Sequence, residues 1–210
     1  MVAGEGRIAS AHTLVAAYGH SWVYGTGAKS HHGFAYIACR DASVALSNRA
    51  VSGSVSTQTA DLVAGMPPLN VDVMLLMTGL NDARRHGLAP TALRAYRRAV
   101  QAIVDGFLHS NPSGSVIAVS QPQLADYSQH APFDHGSDAA VGAYNRVLSG
   151  VMESCAQAEL VSVEGWDSVA MLAEDTVHPN DWGHRWIAAA LTPHLCQHQN
   201  RKEDRDGGSR

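Results

Sequence analysis

No run of apolar residues in the chain approaches the roughly 18 needed to cross a bilayer, so no membrane span is expected. Residues 1–7 lack a charged segment followed by a long apolar core, which argues against a signal peptide and favours a cytoplasmic location. Basic runs are missing too. Apart from Arg84-Arg85 and Arg97-Arg98, which read as solvated helix faces, nothing suits a nucleic-acid surface, and the formal charge of -4 speaks against one. Cysteine is scarce: Cys39, Cys155 and Cys196 are odd in number, widely spaced and match no metal pattern, so buried free thiols are expected rather than a disulfide framework. Twelve histidines are many, yet His31-His32, His86, His130 and His135 show no metal-ligand spacing. His194 and His198, four apart, fit the exposed end of a frayed helix. Gly25-Thr26-Gly27 is too short for a phosphate-binding fingerprint and reads as a loop.

What is present is a globular composition, 45% hydrophobic and 16% charged over 210 residues, enough for one domain with a substantial core. That domain is expected over residues 1–196, with a polar, mixed-charge tail at 197–210 expected to be disordered. Apolar runs predict strands at residues 13–18, 43–47, 71–77, 115–119 and 160–163. The run Val71-Asp72-Val73-Met74-Leu75-Leu76-Met77 is nearly continuous, which requires burial on both faces and hence a parallel sheet. Helical periods lie between the strands, at 31–41, 56–64, 90–109, 138–156 and 182–195, the third opening on Pro90. In the last, Trp186, Ile187, Ala190 and Leu191 are expected to face inward. Five alternations of strand and helix predict a three-layer α/β/α fold with a five-stranded parallel sheet. Residues 120–137 are polar and without period, long enough to be a functional loop or lid that decides substrate choice.

The stretch Thr13 to Trp22 runs as a strand, stops at Gly19 and hands over to Ser21. Alone, that serine is best read as a helix cap. Other polar groups follow later strands or precede the last helix: Gly53, Asn81, and Asp175-Thr176-Val177-His178. Parallel strands bring such ends to one edge. Imidazole changes charge near neutral pH, so His178 suits the part of a base that frees the Ser21 hydroxyl, with Asp175 three residues earlier to hold the ring. The Ser21 N–H, the Gly53 N–H and the Asn81 amide could serve an oxyanion. Each residue taken singly has a blander reading, as a cap, a turn or a loop carboxylate. Four of them in this order at strand ends are hard to ascribe to accident.

These blocks resemble the SGNH hydrolases, the GDSL-type esterase and lipase superfamily. The resemblance rests on Gly19-His20-Ser21, on residues 48–53 ending in Ser52-Gly53, on Gly79-Leu80-Asn81-Asp82, and on Asp175-Thr176-Val177-His178-Pro179, and spans about residues 12–195. It implies a flavodoxin-like fold, a triad of Ser21, Asp175 and His178, and an oxyanion hole of Ser21, Gly53 and Asn81. It implies a serine esterase acting on a small or medium-sized carboxylic ester through an acyl-enzyme, without cofactor or metal. The alternatives are an acyltransferase or thioesterase with the same triad, or a non-catalytic binding module. One departure stands out: the family carries Asp where this chain has His20. The Gly-x-Ser-x-Gly elbow of α/β-hydrolases is absent, since position 23 is Val. His20, Trp22 and Trp182 are candidates for lining a substrate pocket, with core packing the alternative for the tryptophans. Partners beyond a small-molecule ester or acyl substrate, and the oligomeric state, are not legible.

Overall fold

The computed structural model describes residues 12–207. The leader-free N-terminus expected over residues 1–7 lies outside the described residues, as do 208–210. Five strands, β1 (Leu14–Gly19), β2 (Ala45–Asn48), β3 (Val73–Met77), β4 (Ser115–Val119) and β5 (Ala158–Val161), form one parallel sheet in the order β2-β1-β3-β4-β5. Every residue of β3 is buried, as its unbroken apolar run requires of a central strand. β5 lies two residues earlier than its apolar run suggests. As an edge strand it is only half-buried, so hydrophobicity marks its position weakly.

Helices cover both faces, α2 (Phe34–Asp41) packing on α7 (Asp181–Gly207), and α5 (Pro90–Ser110) on α3 (Ser56–Gly65) and α6 (Asp138–Glu153). Tyr96, Val100, Ile103, Val104 and Phe107 form the buried stripe of α5 at helical spacing. Two short helices escape the periodicity reading, α1 (Ser21–Tyr24) and α4 (Leu80–His86). Neither is long enough to display a repeating face. No helix among the described residues is long and apolar enough to cross a membrane.

The C-terminal stretch differs from expectation. Instead of fraying after residue 196, α7 continues to Gly207, past Pro193. Specific bonds hold it: Gln199 Oε1 accepts the Thr13 N–H at 2.9 Å, and Lys202 Nζ meets Asp72 Oδ2 at 2.7 Å. His194 and His198 are not solvated either, since both reach Glu159 on β5, at 2.9 and 3.5 Å. Trp186, expected inside, is 38% exposed, while Ile187 and Leu191 are buried. The three cysteines are free, Cys39 buried and the other two half-buried.

The site edge is set by the end of β1. Gly19 pairs in register with Met77 and has φ +142°, and a Cβ there would run into the Met77 carbonyl oxygen. Its own carbonyl accepts from the Val51 N–H at 2.9 Å and the Ser54 hydroxyl at 3.1 Å. Gly19→Ala is therefore expected to lower unfolding stability by about 2 kcal/mol or more, read from the urea midpoint. An unchanged midpoint would contradict this packing.

Candidate active site

The strand order reverses direction between β1 and β3, and the crevice there lies outside the strands' C-terminal ends. Ser21 leaves β1 after two residues and opens α1, with His20 as the N-cap. The cap reading is thus displaced by one residue: the histidine caps, and the serine occupies the first turn. Ser21 is 5% exposed, and its Oγ lies 2.9 Å from His178 Nε2. His178 Nδ1 lies 2.6 Å from Asp175 Oδ2.

The loop carrying these two residues is tightly folded. Asp175 Oδ1 accepts the backbone N–H groups of Val177 and His178, at 3.0 and 2.9 Å, and the Ala173 N–H donates to the His178 carbonyl at 2.7 Å. Thr176 sits at φ +62°, a left-handed conformation that a β-branched residue adopts only under strain. Burial pushes the Asp175 carboxyl pKa up, but the hydrogen bonds from His178 and Val177 outweigh it and hold the pKa below the usual value. The carboxylate is ionised where the imidazole needs it, and with Nδ1 donating to it, Nε2 is left to accept the serine proton.

Three donors are left over at the same edge. The N–H groups of Ser21 and Gly53 donate to no other described residue. Asn81 spends one amide hydrogen on the Ser54 carbonyl at 2.9 Å and keeps the other. Gly53 has φ +78°, and a Cβ there would meet nothing within 4 Å, so its backbone stands against open space. Next to Asn81, Asp82 binds Ser56 twice, through its N–H at 2.9 Å and its hydroxyl at 2.6 Å. The pair at the start of α4 thus clamps residues 54–56 and fixes where Gly53 stands. A cavity of about 540 Å³ adjoins, lined by Gly19, Gly53 and Ser54, by Leu62 of α3 and by Met66 just after that helix.

The three pocket candidates do not line this space. His20 and Trp22 are wholly buried. Trp22 packs on Trp166 and donates its indole N–H to the Val177 carbonyl at 2.9 Å, tying the serine turn to the histidine loop. Trp182 is 47% exposed and lies edge-on to Trp186, in a separate depression with Lys29 and Arg185.

Other residues near the site went unread. His184, wholly buried, accepts the Phe34 N–H and donates to the Thr26 carbonyl, holding the loop after α1. Its spacing from Ile187, Ala188 and Leu191 marks it as an inward position. Arg84, expected on a solvated face, is 5% exposed, because Gly79 starts α4 in a register that turns Asn81 and Arg84 inward together. The loop 120–137 is irregular throughout and touches the site: His130 Nε2 donates to the Asp175 carbonyl at 3.0 Å. No cluster of metal-ligating side chains occurs among the described residues.

The family model for the GDSL-like lipase/acylhydrolase family matches residues 17–186. No curated protein sequence matches significantly. Among solved structures, a lipase/acylhydrolase from Enterococcus faecalis superposes with a TM-score of 0.71 at 15% identity, covering 88% of this chain and 96% of its own. A carbohydrate esterase family 3 protein from Talaromyces cellulolyticus gives 0.65 at 19% identity, covering 90% and 99%. A carbohydrate esterase family 2 enzyme with a carbohydrate-binding domain, from Corynascus thermopiles (Myceliophthora fergusii), gives 0.71 at 17% identity, covering 90% and 67%. At such identities the likeness is one of fold.

His20 is the residue that most needs a physical account. Its Nδ1 accepts the Trp22 N–H at 3.3 Å, which places the ring proton on Nε2, and Nε2 donates to Gln121 Oε1 at 3.2 Å. Gln121 is itself held by Asn145, through Oδ1 on its N–H and Nδ2 on its carbonyl. Complete burial pulls the His20 pKa down to about 3 against the pull of Gln121, so the ring is neutral. An unfolded histidine takes up its proton near 6.5, whereas folded His20 does not until about 3. Its contribution is complete above the unfolded value and is lost as pH falls between the two. His20→Asn keeps a capping oxygen and an amide donor but removes the titration. Its stability loss between pH 7 and about pH 4.5 should be smaller than that of the wild type by roughly 3 kcal/mol, measured by urea unfolding. Parallel curves would show that His20 is not buried neutral.

Proposed function

The chain belongs to the GDSL-like lipase/acylhydrolase family and is an SGNH-type hydrolase; on that premise we propose that it is a serine esterase that cleaves a small or medium-sized carboxylic ester through an acyl-enzyme. The observation carrying this reading is the continuous relay from Ser21 Oγ through His178 to Asp175, at 2.9 and 2.6 Å.

Ser21 Oγ attacks the ester carbonyl carbon while His178 Nε2 takes its proton. The Asp175 carboxylate stays ionised and stabilises the imidazolium that forms. Negative charge on the carbonyl oxygen is met by the Ser21 and Gly53 N–H groups and the free Asn81 amide hydrogen. Collapse breaks the bond to the alcohol oxygen, which leaves with the proton from His178. Water, deprotonated by the same imidazole, then attacks the acyl-Ser21 carbonyl and releases the acid. The adjoining cavity is of a size suited to a small-molecule group.

Ser21→Ala is expected to lower kcat on para-nitrophenyl acetate by about 10⁴-fold or more. A fluorophosphonate probe should label the wild type on the Ser21 peptide, and near-wild-type turnover in the variant would sink the proposal. Asn81→Ala is expected to lower kcat by about 10²–10³-fold. A change confined to KM would remove Asn81 from the oxyanion hole.

A further inference from the structure

Arg84 is costly where it stands. A guanidinium withdrawn from water needs an anion or a set of acceptors in exchange. Arg84 is 5% exposed, and its side chain makes no hydrogen bond or ion pair with a described residue, with Nε the one guanidinium nitrogen wholly shut off from solvent. Its Nε is fully buried and unpartnered. The nearest compensation is the Phe133 ring, whose centroid lies 5.6 Å from Cζ, a weak substitute for a counter-ion.

Its position ties it to the reacting groups. Arg84 follows Asn81 by three residues on α4, so both side chains leave the same helix face. The loop 120–137 closes over it, the His135 N–H donating to the Arg84 carbonyl at 2.8 Å, and the same loop reaches the triad through His130 and the Asp175 carbonyl. Burial pulls the Arg84 pKa down, while the Asp175 carboxylate pushes it up through space. The guanidinium still keeps its charge. It therefore lies within the electrostatic reach of the relay without being bonded to it.

We propose that Arg84 is a specificity residue that receives a carboxylate carried by the substrate, on the acyl or the alcohol side of the scissile ester. This rests on the esterase reading above. The planar fork of arginine matches a carboxylate with paired N–H donors. A single guanidinium, already shared in field with Asp175, balances one negative charge and not the two of a phosphate monoester.

Two ester pairs test it, each comparing a carboxylate with its neutral methyl ester. On the alcohol side these are para-acetoxybenzoate and methyl para-acetoxybenzoate. On the acyl side they are mono-para-nitrophenyl adipate and its methyl ester. Rates are divided by those of alkaline hydrolysis, so that leaving-group chemistry cancels. The wild type should favour the carboxylate member of at least one pair by about tenfold or more in kcat/KM, the worth of a charge-assisted hydrogen bond. Arg84→Met should reduce that ratio by about tenfold or more. Arg84→Lys, a point charge without the fork, should fall between. Ratios at or below one for both pairs in the wild type overturn the proposal, and so does a ratio that Arg84→Met leaves unchanged. If the Met variant does not fold, the wild-type ratios and the Lys variant decide. Failure of the esterase reading would look different: neither member of either pair would turn over, and the fluorophosphonate would not label Ser21.

Discussion

The sheet edge that carries Ser21 is built around a place where a side chain cannot fit. At Gly19 the backbone of β1 passes so close to β3 that a Cβ would collide with the Met77 carbonyl. That approach lets the Gly19 carbonyl collect hydrogen bonds from Val51 and Ser54, which fastens the segment after β2 to the end of β1. Asn81 and Asp82, from the helix after β3, then bind Ser54 and Ser56 of the same segment. The ends of β1, β2 and β3 are thus one hydrogen-bonded unit, and the serine turn hangs from it. Loosening any one of these bonds would move the proposed oxyanion donors relative to Ser21, the proposed nucleophile, where rates are most sensitive to geometry.

Charge is sparingly distributed around that unit. His20, beside Ser21, and His184, at the start of α7, are both buried, and burial lowers both pKa values. Each uses one nitrogen as acceptor and the other as donor, a pattern that requires the neutral ring. A protonated His20 would oppose the imidazolium that the proposed mechanism forms at His178, since the two rings repel when both are charged. Keeping His20 neutral leaves Asp175 as the group that answers that charge. A histidine can therefore occupy the family's aspartate position by serving as a cap and a strut, with Gln121 and Asn145 completing its hydrogen bonding.

Much of this was legible in the sequence because it depends on local pattern. β3 announced itself by an apolar run that only a central parallel strand could bury, and α5 by its stripe from Tyr96 to Phe107. The four polar blocks at strand ends could be placed on one edge by topology alone. What could not be read depends on partners distant in sequence. Gln199 and Lys202 look like tail residues until their partners near the start of β1 and β3 are known. Trp22 reads as well for a pocket as for a core, and only its bond to the Val177 carbonyl, 155 residues away, decides. The burial of Arg84 turns on the register of a helix of 7 residues, too short for its face to show in the sequence.

That register has a consequence for how such a site can vary. Gly79, with φ +115°, sets the start of α4, and a side chain there would strike the Tyr96 hydroxyl, which is already committed to the Thr78 carbonyl at 2.9 Å. The helix cannot rotate without breaking that contact or the clamp on Ser54 and Ser56. Asn81 and Arg84 are accordingly fixed with respect to each other, one beside the Gly53 segment and one beneath the loop 120–137. The surroundings of α4 differ in kind: an open cavity along α3 beyond the Gly53 segment, and the Arg84 guanidinium over the Phe133 ring of the loop. Because Arg84 stands on the same helix as Asn81, a change in the loop can alter what its charge meets without disturbing Asn81. On the proposed esterase reading, the loop and the α3 cavity are the parts free to vary around Asn81 and Arg84, because α4 is held to one geometry by its bonds to Ser54 and Ser56.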